Sequence, residues 1–178
     1  MTPILALDLG CRTGFALQTE QTGFVSGTWR LDKWCPVCPF DFPKRELLMI
    51  REWRLFWLVR SIVGAAIFSG GVVAFEDVMF SVSTLQTQQW SGYRSAVLTA
   101  CRLEGVTEFF PVPVPTLKKI GAGHGAATKT MMAQAWIRNR PGATLDSKGR
   151  VVYPTGQILD DNSVDAAHLL THVRTLKP

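Results

Sequence analysis

ILALDLGCRTGFAL, residues 4–17, sets a single acid, Asp8, into an apolar run and passes through a Gly-bearing turn into a second apolar segment. Residues 4–9 read as a buried strand, and residues 13–19 and 23–30 alternate apolar and polar side chains with Gly23 between them. Three strands joined by short turns predict an antiparallel meander. Residues 32–43 are rich in Pro, Cys and aromatics and read as an irregular loop ending near Pro43, a residue suited to a helix's first turn. The spacing of Leu47, Leu48, Ile50, Trp53, Phe56, Trp57, Val59, Ile62 and Val63 predicts a helix over about 44–68, stopped by Gly70 and Gly71. Residues 72–75 then form a short apolar run of the kind covered on both faces of a sheet, and it delivers Glu76 at its end. A helical period over 83–104 ends at Gly105, and a strand over 109–114 leads into a Pro-punctuated turn and a glycine loop. Thr128 is the expected N-cap of a helix to about Arg138, residues 139–158 a polar connection, and 161–174 the last helix. The order β-β-β-α-β-α-β-α-α predicts an α/β fold, a mixed sheet in which the meander is followed by parallel strands, with helices on both faces.

With 178 residues the chain is long enough for one packed domain over 1–178 and too short for two full ones. A formal charge of +5 and a pI near 9.3 favour a polyanionic partner, since Lys and Arg that neutralise phosphates release counterions. An acid inside the first apolar run fits neither a signal nor a transit peptide, so a cytoplasmic protein is expected. The apolar stretch over 62–75 is interrupted by Gly64, Ser69, Gly70 and Gly71 and is too short to span a bilayer, so no membrane role is expected. The four cysteines should stay reduced in that compartment. Cys35 and Cys38 have the knuckle spacing of a zinc site, but no second pair lies near and Cys11 and Cys101 are single and distant. Simple packing of that loop is the preferred reading, with a site completed across a dimer left open.

Acids stand where an acid is hard to explain structurally: Asp8 in the first strand, Glu76 leaving the fourth, and Asp161 and Asp165 opening the last helix. An ionised carboxylate inside a sheet is costly unless it is paired or binds a metal. Phosphodiester hydrolysis needs an activated water and a sink for charge on the leaving oxygen, which two Mg²⁺ ions about 4 Å apart supply. Mg²⁺ prefers oxygen ligands, hence a ring of carboxylates rather than His and Cys.

These stretches together resemble RuvC-type Holliday junction resolvases of the RNase H-like superfamily, over most of the chain. ILALDLGCRTGFAL is similar to the first strand and turn of that family, with Asp8 at its first metal ligand. VVAFEDVMF (72–80) resembles the second motif, with Glu76 as ligand, and DDNSVDAAHLL (160–170) the C-terminal acidic motif, with Asp165 as the last ligand. The family's third ligand stands three residues before the last, where this chain has Asn162, while Asp161 stands four before; both face the same side of a helix as Asp165. The role is assigned to Asp161, since a carboxylate is the better Mg²⁺ ligand. Asp160 and Asn162 then read as helix-start residues. The resemblance implies a Mg²⁺-dependent nuclease, Mn²⁺ substituting, that cuts branched DNA such as a four-way junction as a homodimer in a bacterial cell or a phage-infected host.

Residues 118–129 carry lysines around a glycine loop ahead of an expected helix start, a surface on which backbone N–H groups and a positive dipole end meet a phosphate. The spacing of Lys118, Gly123, Gly125 and Lys129 resembles the family's own, in which such lysines contact DNA and assist catalysis; Lys119 extends the basic surface. The loop fits neither a Walker motif nor a dinucleotide fingerprint. Val78, Met79 and Phe80 leave the Glu76 strand as large apolar side chains; in the family such a residue wedges into the junction, so Met79 or Phe80 is the candidate wedge, with packing under the next helix the alternative. The helix over 83–104 resembles the family's dimer helix, with Trp90, Tyr93 and Leu98 as interface candidates. His124 reads as a loop bystander, and His168 and His172 are not assigned as ligands. Competing readings are a less specific flap or single-strand nuclease, a non-catalytic branched-DNA-binding protein, and a fragment of an actin-like sugar kinase, for whose two domains the chain is too short.

Overall fold

The computed structural model describes residues 1–33, 36–38, 47–66, 70–78 and 83–177, with the backbone alone for 47, 48 and 66. Its elements are β1 (Ile4–Asp8), β2 (Arg12–Thr19), β3 (Gly23–Arg30), α1 (Leu47–Ala66), β4 (Val72–Asp77), α2 (Thr84–Leu103), β5 (Glu108–Pro113), α3 (Val114–Ala122), α4 (Lys129–Ile137), β6 (Thr144–Leu145), β7 (Val151–Val152), β8 (Ile158–Leu159) and α5 (Asp161–Leu176). The main sheet runs β3-β2-β1-β4-β5, antiparallel across β3, β2 and β1 and parallel across β1, β4 and β5, as the meander-then-parallel reading expects. The start of the first long helix at 44 and its end at 67–68 lie outside the described residues.

Successive side chains of a strand face opposite ways, and β1 uses this to feed two cores. Leu5 and Leu7, with Val73 and Phe75 of β4, pack against Leu55, Val59 and Val63 of α1 and Val97, Ala100 and Cys101 of α2. Ile4 and Ala6, with Val72 and Ala74, pack on the other face against Leu117, Met132, Trp136, Val164, Ala167 and Leu170 of α3, α4 and α5. Leu5 and Leu7 are fully buried, each worth about 1.5–3 kcal/mol relative to exposure. Helices therefore cover both faces, as the sequence predicts. Among the described residues no helix is long and apolar enough to cross a membrane.

Two segments differ from expectation. The stretch read as a Pro-punctuated turn and glycine loop contains helix α3, with Pro113 as its N-cap and Pro115 in its first turn, where a missing N–H costs nothing. Lys118 and Lys119 therefore stand on a helix, and the loop shrinks to 123–128. The polar connection over 139–158 holds a small antiparallel sheet, β6-β7-β8, whose two-residue strands are too short to show a period. Asp146 closes its first turn by accepting from the backbone N–H groups of Lys148 and Arg150, both at 2.9 Å.

A candidate active site at the carboxyl ends of the central strands

Parity along the strands decides where the acids point. Ile4, Ala6 and Asp8 share one side of β1, and Val72, Ala74 and Glu76 the matching side of β4. The parallel register pairs Ala6 with Ala74 and Leu7 with Phe75, and its continuation sets Asp8 beside Glu76. Both carboxyls thus leave the sheet toward the helix α5, at the edge where both strands end. Asp77, one residue on, faces the other way and stands 3.9 Å from Arg94 of α2.

The N-terminus of α5 is brought to that edge by contacts with β2 and β3. Its N-cap, Asp160, accepts from the backbone N–H of Ser163 at 3.1 Å, as a helix-start residue should. The same carboxylate receives Arg12 of β2 at 3.0 Å and the hydroxyl of Thr28 of β3. Burial opposes its ionisation, but the bonds from Thr28 and Ser163 and the Arg12 charge hold the Asp160 carboxyl below the usual range. Gly14, which pairs with Asp8 across β1 and β2, lets the helix come down on the strand: a Cβ there would sit 2.0 Å from the carbonyl oxygen of Asn162. Gly14 and the Asp160 tie were not singled out from the sequence. The available signal was a glycine inside a strand pattern, which marks close backbone approach.

Asp165, one turn into α5, joins Asp8 and Glu76. Burial and the neighbouring Glu76 raise its pKa to about 7, with Asp161 adding and Lys129 and Lys118 opposing. Asp8 is raised well above the carboxylate range by burial first, then by the charge of Glu76, a hydrogen bond with it, and the charge of Asp165; Lys129 opposes. Asp161 sits at the rim, its carboxylate ion-paired with the ammonium of Lys129. That bond, chiefly, raises the Lys129 pKa and keeps the ammonium charged.

The structure therefore brings Asp8, Glu76 and Asp165 together, sets Asp161 and Lys129 beside them, and leaves Lys118 close enough to act on Asp165. Lys119 is exposed on α3. Gly123, at φ 82°, is the left-handed C-cap of α3, and Gly125 follows in the loop that leads to the Thr128 cap of α4. Met79, Phe80 and Cys35 lie outside the described residues, while Cys38 is half-buried. His168 is buried against the Met132 carbonyl at 3.0 Å and His124 accepts from the Ala126 N–H at 3.2 Å, so neither serves this site. Tyr93 needs correction: it is 3% exposed in the core under α1 and α2 and is not a surface anchor. Trp90 and Leu98 are half-buried.

An all-carboxylate donor set at the end of two parallel strands fits in kind a hard divalent cation, which would neutralise the crowded charge. Among the described residues, however, no group of three or more His, Cys, Asp or Glu side chains is already disposed to hold a metal ion. The carboxylates fit in kind and converge; the Lys129 ammonium occupies Asp161 in this arrangement.

No protein-family model and no curated protein matches the chain. Among solved structures, RuvC of T. thermophilus in complex with a Holliday junction substrate is similar at a TM-score of 0.62 and 19% identity, covering 99% of this chain and 96% of the other. A Thermus thermophilus RuvC structure gives a TM-score of 0.59 at the same 19% identity, with the same 99% and 96% coverage. At that identity the likeness is one of fold: the α/β, RNase H-like fold that RuvC has.

Proposed function

We propose that this chain, built on the fold of RuvC, is a Mg²⁺-dependent, structure-selective DNA endonuclease that resolves four-way junctions or related branched DNA by paired nicks. The observation that carries the reading is the convergence of Asp8, Glu76 and Asp165, three acids from three separate elements, with Asp8 and Asp165 both raised by burial first and then by the charge of Glu76. A fold alone needs no such cluster, which costs stability unless cations neutralise it.

In this reading Asp8, Glu76, Asp165 and Asp161 would hold the divalent ions, Mn²⁺ substituting for Mg²⁺, whose chemistry when bound would be to activate a water and offset charge on the leaving oxygen. The chain's own residues supply the rest. Lys129 exchanges its bond to Asp161 for a phosphate oxygen of the incoming strand, and Lys118 adds positive charge on the same side. Loop 123–128 with Gly123 and Gly125, and Lys119 beside it, give the backbone a smooth basic track, and Met79 or Phe80 is the wedge. A homodimer would place two such sites on strands of opposite polarity. Exposed Met49, Trp53 and Leu103 flank a groove of about 420 Å³ between α1 and α2, which supports that face for the second copy.

The test is Asp8→Asn. Cleavage of a labelled four-way junction should fall by at least about a hundredfold while junction affinity stays within about threefold, as expected when a group acting in the transition state is lost without loss of ground-state binding. Nicking at an undiminished rate by Asp8→Asn would remove the assignment.

A further inference from the structure

The edge that carries the acids continues past them. In the order β3-β2-β1-β4-β5, the residues at this edge are Arg30 ending β3, Arg12 opening β2, Asp8 ending β1 and Glu76 near the end of β4. Arg12 and Arg30 are direct partners across the antiparallel pair. Like charges directly opposite are destabilising, and here each guanidinium is offset by one carboxylate, Asp160 or Asp32.

Further cations meet at the same corner. The backbone of Leu31 donates to the Cys11 carbonyl at 3.0 Å, joining the end of β3 to the turn after β1. From α1, on the other face of the sheet, Arg54 donates to the Leu31 carbonyl at 2.9 Å and Arg51 reaches the Cys11 sulfur at 3.4 Å, so both brace this edge from behind. Lys33 follows in the turn that closes on the Arg30 carbonyl. Asp160 pairs with Arg12 and Asp32 with Arg30, both at 3.0 Å. The Arg12 and Arg30 side chains are 57% and 55% exposed, so both guanidinium groups keep faces open to a further anion while Asp160, held also by Thr28 and Ser163, keeps its place.

We infer that this arginine corner, Arg12 and Arg30 foremost, is a second phosphate-binding surface that grips the DNA strand on the side of the acids opposite Lys118 and Lys129. The inference rests on the endonuclease reading and deepens it, since it says how the strand lies: across the acids, with cations on both flanks. Thr28 is level with Asp8, and Arg30 lies two strands of about 4.8 Å across and two residues of about 3.4 Å along, so about 12 Å from Asp8. With a rise of about 3.4 Å per nucleotide on one strand, that is about three to four nucleotides from the bond to be cut. A guanidinium fork matches two phosphate oxygens at once, which suits this partner better than a lone ammonium would.

The experiment measures the affinity of a four-way junction for the cleavage-deficient Asp8→Asn chain against salt concentration. The same chain is then compared with Arg12→Gln and Arg30→Gln added together, and with Arg30→Gln alone. Each lost phosphate contact lowers the slope of log affinity against log salt by about 0.9, and a homodimer on one junction loses two per substitution, so the double change should lower it by about 3.6 and the single by about 1.8. Arg30→Lys should restore the slope. Arg30→Gln alone keeps the test open if losing Arg12 from Asp160 unfolds the start of α5. An unchanged slope with a well-bound junction overturns the arginine surface and leaves the endonuclease reading standing. No junction binding by the Asp8→Asn parent overturns both.

Discussion

Gly14 shows how a residue with no side chain governs a site made of carboxylates. It stands opposite Asp8 in the sheet and under Asn162 in the helix, so α5 reaches the acids only while position 14 lacks a Cβ. Gly14→Ala should lower stability by about 1–3 kcal/mol, the cost of overpacking, and displace Asp161 and Asp165 together; chemical denaturation and junction cleavage should both register it. Asp165 gives a second residue-scale prediction, with a defined sign. Its pKa is about 7 in the fold against 3.8 as an ordinary Asp, so the folded chain holds a proton that the unfolded chain has released. Stability is then lost as pH rises from about 4 to 7 and stays low above it. In metal-free buffer at pH 8, Asp165→Asn should melt higher than the parent by at least about 2–4 °C, the shift that 1 kcal/mol gives at this size, and the gain should vanish at pH 4. A melting point that does not move at pH 8 would show that Asp165 is not crowded.

At the scale of elements, the last helix is positioned by its cap. Asp160 joins three elements, taking Arg12 from β2, Thr28 from β3 and the Ser163 N–H of α5. Asp160→Ala should cost about 1–2 kcal/mol in a denaturant melt, the range for a lost N-cap, and should cut cleavage further than that loss explains, because Asp161 and Asp165 ride on the freed turn. Asp160→Asn, which keeps the cap acceptor, should recover most of the stability. Much of this was legible beforehand: the meander, the parallel strands and the helices on both faces follow from period-2 and helical spacing, and Asp8 and Glu76 from acids at apolar strand ends. What stayed hidden was contact between distant segments. A two-residue strand such as Val151–Val152 has no period to read, and two prolines that open α3 look like a turn. Nothing in the spacing of Arg12 and Asp160, 148 residues apart, announces their ion pair. Tyr93 was misplaced because a helical period tells which residues share a face, and both faces of α2 carry aromatics or aliphatics.

Across the whole molecule, one edge of the sheet concentrates the charge. Arginines on β2 and β3, acids on β1, β4 and α5, and lysines on α3 and α4 follow one another along it, so an excess of five positive charges over the chain is arranged around a local negative centre. Such an arrangement attracts a polyanion while repelling its phosphates from the acids until cations fill them. Millimolar Mg²⁺ should therefore raise the melting temperature of the parent at pH 8 and leave that of an Asp8→Asn, Asp165→Asn double variant unchanged, because an ion bound only by the folded state stabilises it by mass action. Cleavage of a synthetic four-way junction, labelled on each strand and run beside a linear duplex of the same sequence, tests the account most directly. With Mg²⁺ the chain should make paired nicks on opposed strands of the junction and leave the duplex intact, and without a divalent ion it should cut neither. Cutting without a divalent ion, or Mg²⁺-loaded chain that leaves the junction whole, would contradict it.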